Sequence, residues 1–69
     1  MSSVAKVTEI IASSPKSFDD AIKVGVARSQ KTLRHLKSAW VQDQQVELDN
    51  DGQITEYRVH LKVTFLIDD

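Results

Sequence analysis

Apolar and polar residues alternate along the last part of the chain. One set of alternate positions holds apolar or aromatic residues, namely Tyr57, Val59, Leu61, Val63, Phe65 and Ile67. The other set is mostly polar, namely Glu56, Arg58, His60, Lys62, Thr64 and Leu66. This period of two predicts a half-buried β-strand that runs from about Gln53 to Ile67. Because such a strand is long for a chain of 69 residues, its second face is expected to need a partner.

The first segment also has the composition of a strand. Residues 4–12 (VAKVTEIIA) are rich in β-branched side chains, which favour extended structure. Val4 and Ile10 occupy one face of this predicted strand, and Val7 and Ile11 occupy the other. Both faces are therefore expected to be buried, one by the chain itself and one by something else.

A helix is predicted from Phe18 to Leu36. Apolar and small residues recur there at helical spacing, namely Phe18, Ala21, Ile22, Gly25, Val26, Ser29, Leu33 and Leu36. Ser17 is the expected N-cap, with Asp20 in the third helical position as a weaker substitute for the usual Glu. The stripe is interpreted as core, and its small residues would let the helix lie close to a sheet.

A second strand is predicted from Ser38 to Leu48. Its apolar residues change from odd to even positions, namely Ala39, Val41, Val46 and Leu48. This change predicts a β-bulge near residues 43–45. The segment Asp49-Asn50-Asp51-Gly52 is a strong turn signal. The element order is therefore β-α-β-β, and the expected α+β fold is a three-stranded antiparallel sheet wrapped around one long helix.

Size and composition favour a single small domain that assembles. Residues 1–69 are expected to form one domain, and a monomer of this size has marginal stability. The chain has no cysteine, so a good core or oligomerisation must stabilise it instead of disulfides. A net charge of −1 argues against nucleic acid as a partner, and no apolar run is long enough for a membrane helix. No signal peptide is recognised, so a cytoplasmic protein is expected.

The sequence contains no recognisable catalytic constellation. The chain lacks a thiol nucleophile, and its serines do not lie in a nucleophile-elbow motif. His35 and His60 do not have the spacing of zinc ligands. The protein is therefore not expected to be an enzyme.

Two features remain as candidates for ligand binding. Glu47, Asp49 and Asp51 match the first carboxylate positions of a calcium-binding EF-hand loop, but Arg58 stands where the bidentate Glu belongs. The hairpin turn is therefore a candidate for a weak cation site only. Trp40 could stack on a flat ligand, and the alternative is that it fills an interface between subunits.

Three segments, in this order and spacing, give the chain a family resemblance. They are KVTEIIASSP before the helix, ARSQKTLRHL in its second half, and YRVHLKVTFLID in the last strand. Together with the β-α-β-β order and the length, they resemble the dodecins over nearly the whole chain. The resemblance implies a non-enzymatic protein that assembles as a hollow homododecamer. Many dodecins bind flavins between subunits, and calcium binding is associated with part of the family.

The resemblance also identifies four flavin-site positions, and all four depart from the family pattern. Ser38 stands where a stacking Trp is usual, and Arg58 stands where a Gln meets the polar edge of the flavin. Gln45 and Leu66 occupy positions that hold Arg in many bacterial members. The usual flavin site is therefore not expected. Trp40 lies on the same strand face as Ser38 and is the candidate for a displaced stacking residue.

Three functions follow from this interpretation. The first is a homododecameric shell that binds or sequesters a small molecule or an ion, with calcium as one candidate. The second is a genuine riboflavin- or FMN-storing dodecin that uses Trp40. The third is a structural assembly without a dedicated ligand.

Overall fold

The computed structural model describes residues 4–67, and residues 1–3 and 68–69 lie outside this description. The described chain folds as β1 (Ala5–Ser14), α1 (Phe18–Gln30), β2 (Leu36–Leu48) and β3 (Ile54–Leu66). The three strands form one antiparallel sheet in the order β1-β3-β2. The predicted β-α-β-β order and the antiparallel sheet are confirmed.

The alternating residues of β3 divide the sheet into two faces. We call the side that α1 covers the inner face; on it lie Tyr57, Val59, Leu61, Val63 and Phe65. We call the opposite side the outer face; on it lie Glu56, Arg58, His60, Lys62, Thr64 and Leu66. The inner-face residues Val59, Leu61 and Val63 are at most 1% exposed. The alternation in the sequence therefore predicts the division of β3 correctly.

A small core lies between α1 and the inner face. Among residues 4–67 the buried apolar side chains are Ala12, Ala21, Val59, Leu61 and Val63. Partly buried residues pack around them, namely Ile10, Phe18, Ile22, Leu33 and Leu36. A β-carbon placed on Gly25 would lie 3.0 Å from Ala12 Cβ and 3.1 Å from Leu61 Cδ1. The missing side chain therefore lets the helix approach the sheet, as the sequence predicts.

The start of α1 is fixed by hydrogen bonds to three side chains. The Ser17 hydroxyl accepts from the Asp20 backbone N–H at 3.0 Å, which confirms Ser17 as the N-cap. The Asp20 carboxylate accepts from the hydroxyl of buried Ser14 at 2.6 Å. Ser14 Oγ in turn accepts from the Lys16 backbone N–H at 3.0 Å. Asp20 therefore ties the first turn of the helix to the end of β1.

The predicted helix end at Leu36 is wrong, because α1 ends at Gln30. The backbone N–H groups of Thr32 and Leu33 both donate to the Ser29 carbonyl, so the helical hydrogen-bond pattern ends in a turn. His35 then adopts a positive φ of 57°, which redirects the chain into β2. Leu33 and Leu36 still pack against the core, so the apolar spacing continues although the helix does not. At the other end, β1 includes Ser13 and Ser14 and extends beyond the predicted boundary at Ala12.

The predicted bulge in β2 exists, but it lies earlier than residues 43–45. The register shifts between Val41 and Asp43, so Gln42 is the extra residue. Further shifts within the described strand lie between Leu36 and Ser38 and at Glu47/Leu48. Because of the shift at Gln42, Val41 and Val46 face the same side of the sheet, as their phase change requires.

The molecule exposes more surface than a compact protein of its mass. Its accessible surface is 5171 Å², whereas its 7.8 kDa correspond to about 4,400 Å² in folded monomers. The shape is elongated, with extents of 54 × 19 × 14 Å. The helix lies mainly over β1 and β3, so Ala39 and Val41 on the inner face of β2 stay exposed. Nowhere in residues 4–67 is there a helix with the length and apolar character needed to cross a membrane.

Candidate ligand-binding face

The five residues that the sequence singles out for a flavin site all lie on the outer face. Ser38 pairs with Thr64 and Trp40 with Lys62, so both project to the same side. Gln45 pairs directly with Arg58, and Leu66 pairs with Ala5 of β1. The expectation that Ser38 and Trp40 share a face is therefore confirmed. The site positions lie on the side of the sheet that the helix does not cover.

Trp40 is half-exposed on this face, with a relative exposure of 49%. The Lys62 ammonium lies 5.7 Å from the centroid of the Trp40 ring, within range of a cation–π contact. Ser38, one step along the same face, is exposed and has only a short side chain. A flat ligand at this end of the sheet would therefore meet Trp40 next to a cation.

Arg58 is bound by partners from all three strands. Its Nε donates to Ser13 Oγ of β1 at 3.1 Å, and one terminal nitrogen donates to Glu56 Oε1 at 3.2 Å. The other terminal nitrogen lies 3.6 Å from Glu47 Oε1 of β2. Gln45 Nε2 donates to the second oxygen of Glu47 at 3.1 Å. We call these residues, Ser13, Gln45, Glu47, Glu56 and Arg58, the Arg58 cluster.

The family positions divide into two groups along the sheet. Ser38 lies opposite Thr64, and Thr64 is six residues from Arg58 along β3. At about 3.3 Å per residue, the two ends are about 20 Å apart. This separation between the two backbone positions exceeds the length of a fused three-ring system.

The three carboxylates of the candidate cation site are not gathered around one point. Asp49 Oδ1 accepts from the backbone N–H groups of Asp51 and Gln53, both at 2.9 Å, and so stabilises the turn. Gly52 has a positive φ of 79°, as the turn signal predicts. Glu47 belongs to the Arg58 cluster. No group of three His, Cys, Asp or Glu residues that could hold a metal ion occurs within residues 4–67.

The sequence does not predict the contact between His60 and Asp43. His60 Nδ1 lies 3.5 Å from Asp43 Oδ1 on the outer face. In a regular strand Asp43 and Trp40 would point to opposite sides, and only the bulge at Gln42 puts them on one face. The predicted bulge near residues 43–45 lies too late in the sequence to put Asp43 beside His60. Ser13 and Glu47 are likewise not predicted as partners of Arg58, because they lie on other strands and their pairing depends on the strand register. Glu56, two residues before Arg58 on the same strand, follows from the alternation alone.

Comparison with known proteins places the chain among small proteins of one kind. The family model described as Dodecin matches residues 4–68. A calcium dodecin of Mycobacterium tuberculosis is 38% identical over 63 residues, which cover 91% of this chain and 87% of that protein. A dodecin of Thermus thermophilus is 33% identical over 69 residues, which cover 100% of this chain and 99% of that protein.

Solved structures agree with this result. The dodecin of Streptomyces davaonensis superposes with a TM-score of 0.93 at 33% identity and covers all of both chains. The Mycobacterium tuberculosis calcium dodecin has a TM-score of 0.83 at 35% identity, covering 96% of this chain and 93% of that one. That protein is described as calcium-chelating, with a novel calcium-binding site.

Proposed function

The chain belongs to the dodecin family, and on that premise we propose that it is a non-catalytic subunit of a homododecameric shell. The shell binds or sequesters a small molecule or an ion, and the usual flavin site of the family is lost. Residues 1–69 act in this proposal as one domain. The observation that carries the proposal is the state of the outer face, where Ser38 and Arg58 replace the usual flavin contacts.

The surface of a single chain supports the assembly part of the proposal. The outer-face residues Val7 and Ile11 of β1 are 48% and 64% exposed, although they are large and apolar. Ala39 and Val41 are uncovered on the other side of the sheet. Burial of apolar surface is worth about 25 cal/mol per Å², and the core within the chain is small. Contact between copies is therefore the source of the missing stability in this proposal.

The chemistry of two positions supports the loss of the flavin site. Ser38 offers a hydroxyl and little area, whereas an aromatic ring contributes about 1 kcal/mol beyond the area that it covers. Arg58 can only donate hydrogen bonds, whereas an amide both donates and accepts. The guanidinium is also bound to Glu47 and Glu56. Neither position therefore offers the flavin ring what the family pattern supplies.

Trp40 supports a second candidate, a flavin-storing dodecin with a displaced stacking residue. Its ring is half-exposed and lies on the same face as Ser38. The Lys62 ammonium beside the ring weighs against this candidate, because a stacking ligand must compete with it. A shell without a dedicated ligand is the third candidate.

Calcium is the ion that the relatives favour, since one of them is a calcium-chelating dodecin. Because no group of three His, Cys, Asp or Glu residues that could hold a metal ion occurs within residues 4–67, a calcium site in this proposal draws oxygen ligands from neighbouring subunits. Isothermal titration of the assembled protein with calcium tests this ligand. A dissociation constant above the millimolar range would remove calcium from the proposal.

Riboflavin titration followed by flavin fluorescence tests the loss of the flavin site. The wild-type protein is expected to leave the fluorescence nearly unchanged, and the purified protein is expected to be colourless. Strong quenching that disappears in Trp40→Ala would instead establish the displaced stacking residue. Strong quenching that survives Trp40→Ala would mean that flavin binds elsewhere and would overturn the proposal.

A further inference from the structure

The Arg58 cluster contains two carboxylates that face each other. Glu47 of β2 and Glu56 of β3 are direct pairing partners, and like charges in this arrangement destabilise a sheet. Arg58 lies beside both and provides the counter-charge. The acidic pair and the arginine therefore form one unit, in which each depends on the other.

The contacts hold the guanidinium in one place on the sheet. Its three nitrogens are directed at Ser13, Glu56 and Glu47, and the planar group allows little rotation once these contacts form. The Arg58 side chain is 30% exposed, so most of it is withdrawn from water. The head of a long and otherwise mobile side chain is thus fixed across the outer face.

A neutral flat ligand that covers this cluster would have to remove water from three charged groups. Desolvating charges is costly unless the ligand replaces their hydrogen bonds. A neutral ring brings no counter-charge to a trio whose formal charges sum to −1, so its hydrogen bonds replace only part of the lost hydration. The cluster should therefore reject such a ligand even if a stacking partner were present at the other end of the site.

We propose that Glu47 and Glu56 are specificity-determining residues that act through Arg58. They hold its guanidinium across the outer face, and the resulting charged cluster excludes neutral planar ligands from the shell's binding site. This inference rests on the proposed function, because it explains which residues keep flavin out. It also assigns a role to two carboxylates that are not among the four positions where this chain differs from the family's flavin-site pattern.

The test uses riboflavin as the neutral planar probe and Ser38→Trp as the background that supplies a stacking ring. Ser38→Trp alone is expected to bind riboflavin weakly. The quadruple variant with Glu47→Gln, Glu56→Gln and Arg58→Gln replaces the charged cluster by amides of similar size. Its dissociation constant is expected to fall by about tenfold or more, which corresponds to about 1.4 kcal/mol.

Two further variants make the comparison specific. Ser38→Trp with Lys6→Gln removes a positive charge from an exposed residue on the inner face, and its affinity should match that of Ser38→Trp. Ser38→Trp with Arg58→Gln leaves the two carboxylates opposed and should gain less than the quadruple variant. If the quadruple variant fails to assemble, Ser38→Trp with Glu47→Gln carries the test, because it removes one of the two carboxylates that hold Arg58, and its expected gain is about threefold, or about 0.7 kcal/mol.

The results separate this inference from the proposed function. Equal affinities of Ser38→Trp and the cluster variants would contradict the role of Glu47 and Glu56, while a wild type that ignores riboflavin would still support the proposed function. If no variant bound riboflavin, the inference would also be contradicted, because removing the charges of the Arg58 cluster would not have allowed riboflavin to bind. Tight binding by the wild type would overturn the proposed function itself.

Discussion

The two faces of β3 are built from alternate residues of one strand, yet they are organised in different ways. On the inner face Val59, Leu61 and Val63 share one requirement: each is apolar and is covered by the helix of the same chain. On the outer face particular residues have particular partners: Arg58 has Glu47 and Glu56, and His60 has Asp43. The inner face therefore depends on a pattern of residue types, whereas the outer face depends on the register of particular residues.

Neighbouring residues of β3 offer the sharpest test of this difference. Leu61→Ala removes a side chain that is 1% exposed and is expected to cost about 2–5 kcal/mol of unfolding free energy. Lys62→Ala, one residue further and on the outer face, loses its contact with Trp40 and should cost about 1 kcal/mol or less. Chemical denaturation at one protein concentration compares the two. A larger loss for Lys62→Ala would mean that the faces are assigned the wrong way round.

The close approach of the helix to the inner face predicts a smaller effect at Gly25. Gly25→Ala adds a methyl group 3.0 Å from Ala12 Cβ, so overpacking of about 1–3 kcal/mol should outweigh the gain of about 1 kcal/mol in helix propensity. Combined with Ala12→Gly, the substitution should cost less than the two single losses together, since the opposing methyl group is removed. Thermal unfolding measures this coupling. A Gly25→Ala protein more stable than the wild type would show that the helix can move away freely.

The N-cap of α1 should matter less than the core and more than the open outer face. Ser17→Ala removes the acceptor for the Asp20 backbone N–H and is expected to cost about 1 kcal/mol. Ser38→Ala, at an exposed position of the outer face, should change stability by about 0.5 kcal/mol or less. Equal losses in thermal unfolding would mean that the Ser17 cap does not stabilise the helix.

Only a small stability effect is expected at Arg58, despite its many partners. Arg58→Gln breaks ion pairs whose side chains are 30–42% exposed, and such pairs contribute about 1 kcal/mol or less. The loss should shrink further in about 1 M salt, which screens charges over a few ångströms. Denaturation at low and high salt measures it. A loss as large as that of Leu61→Ala would show that the outer face supports the fold as strongly as the core does.

The same contrast explains what the sequence could predict. The alternation in β3, the Ser17 cap and the Gly52 turn follow from local residue types, and all three are confirmed. The end of the helix cannot be predicted from local residue types. Leu33 and Leu36 keep helical spacing, but Leu33 contacts the core from the segment after the helix and Leu36 contacts it from β2. A positive φ at His35 has no clear signal in the sequence, because glycine or asparagine is the usual residue for it.

The candidate site was harder to predict than the fold for the same reason. The residues of the outer face could be named, but their partners depend on where the bulge lies in β2. A bulge two residues later than Gln42 puts Asp43 on the inner face and removes its pairing with His60. In the proposed assembly a ligand site is completed by residues of another copy, and one sequence carries no direct record of how copies are arranged.

In the proposed assembly both faces of the sheet are completed by other copies of the chain. Native mass spectrometry of the wild-type protein at micromolar concentration tests it most directly. The expected result is a homododecamer, at twelve times the 7.8 kDa mass of the chain. A folded monomer at that concentration would contradict the claim, because the uncovered apolar residues of both faces would then need no partner.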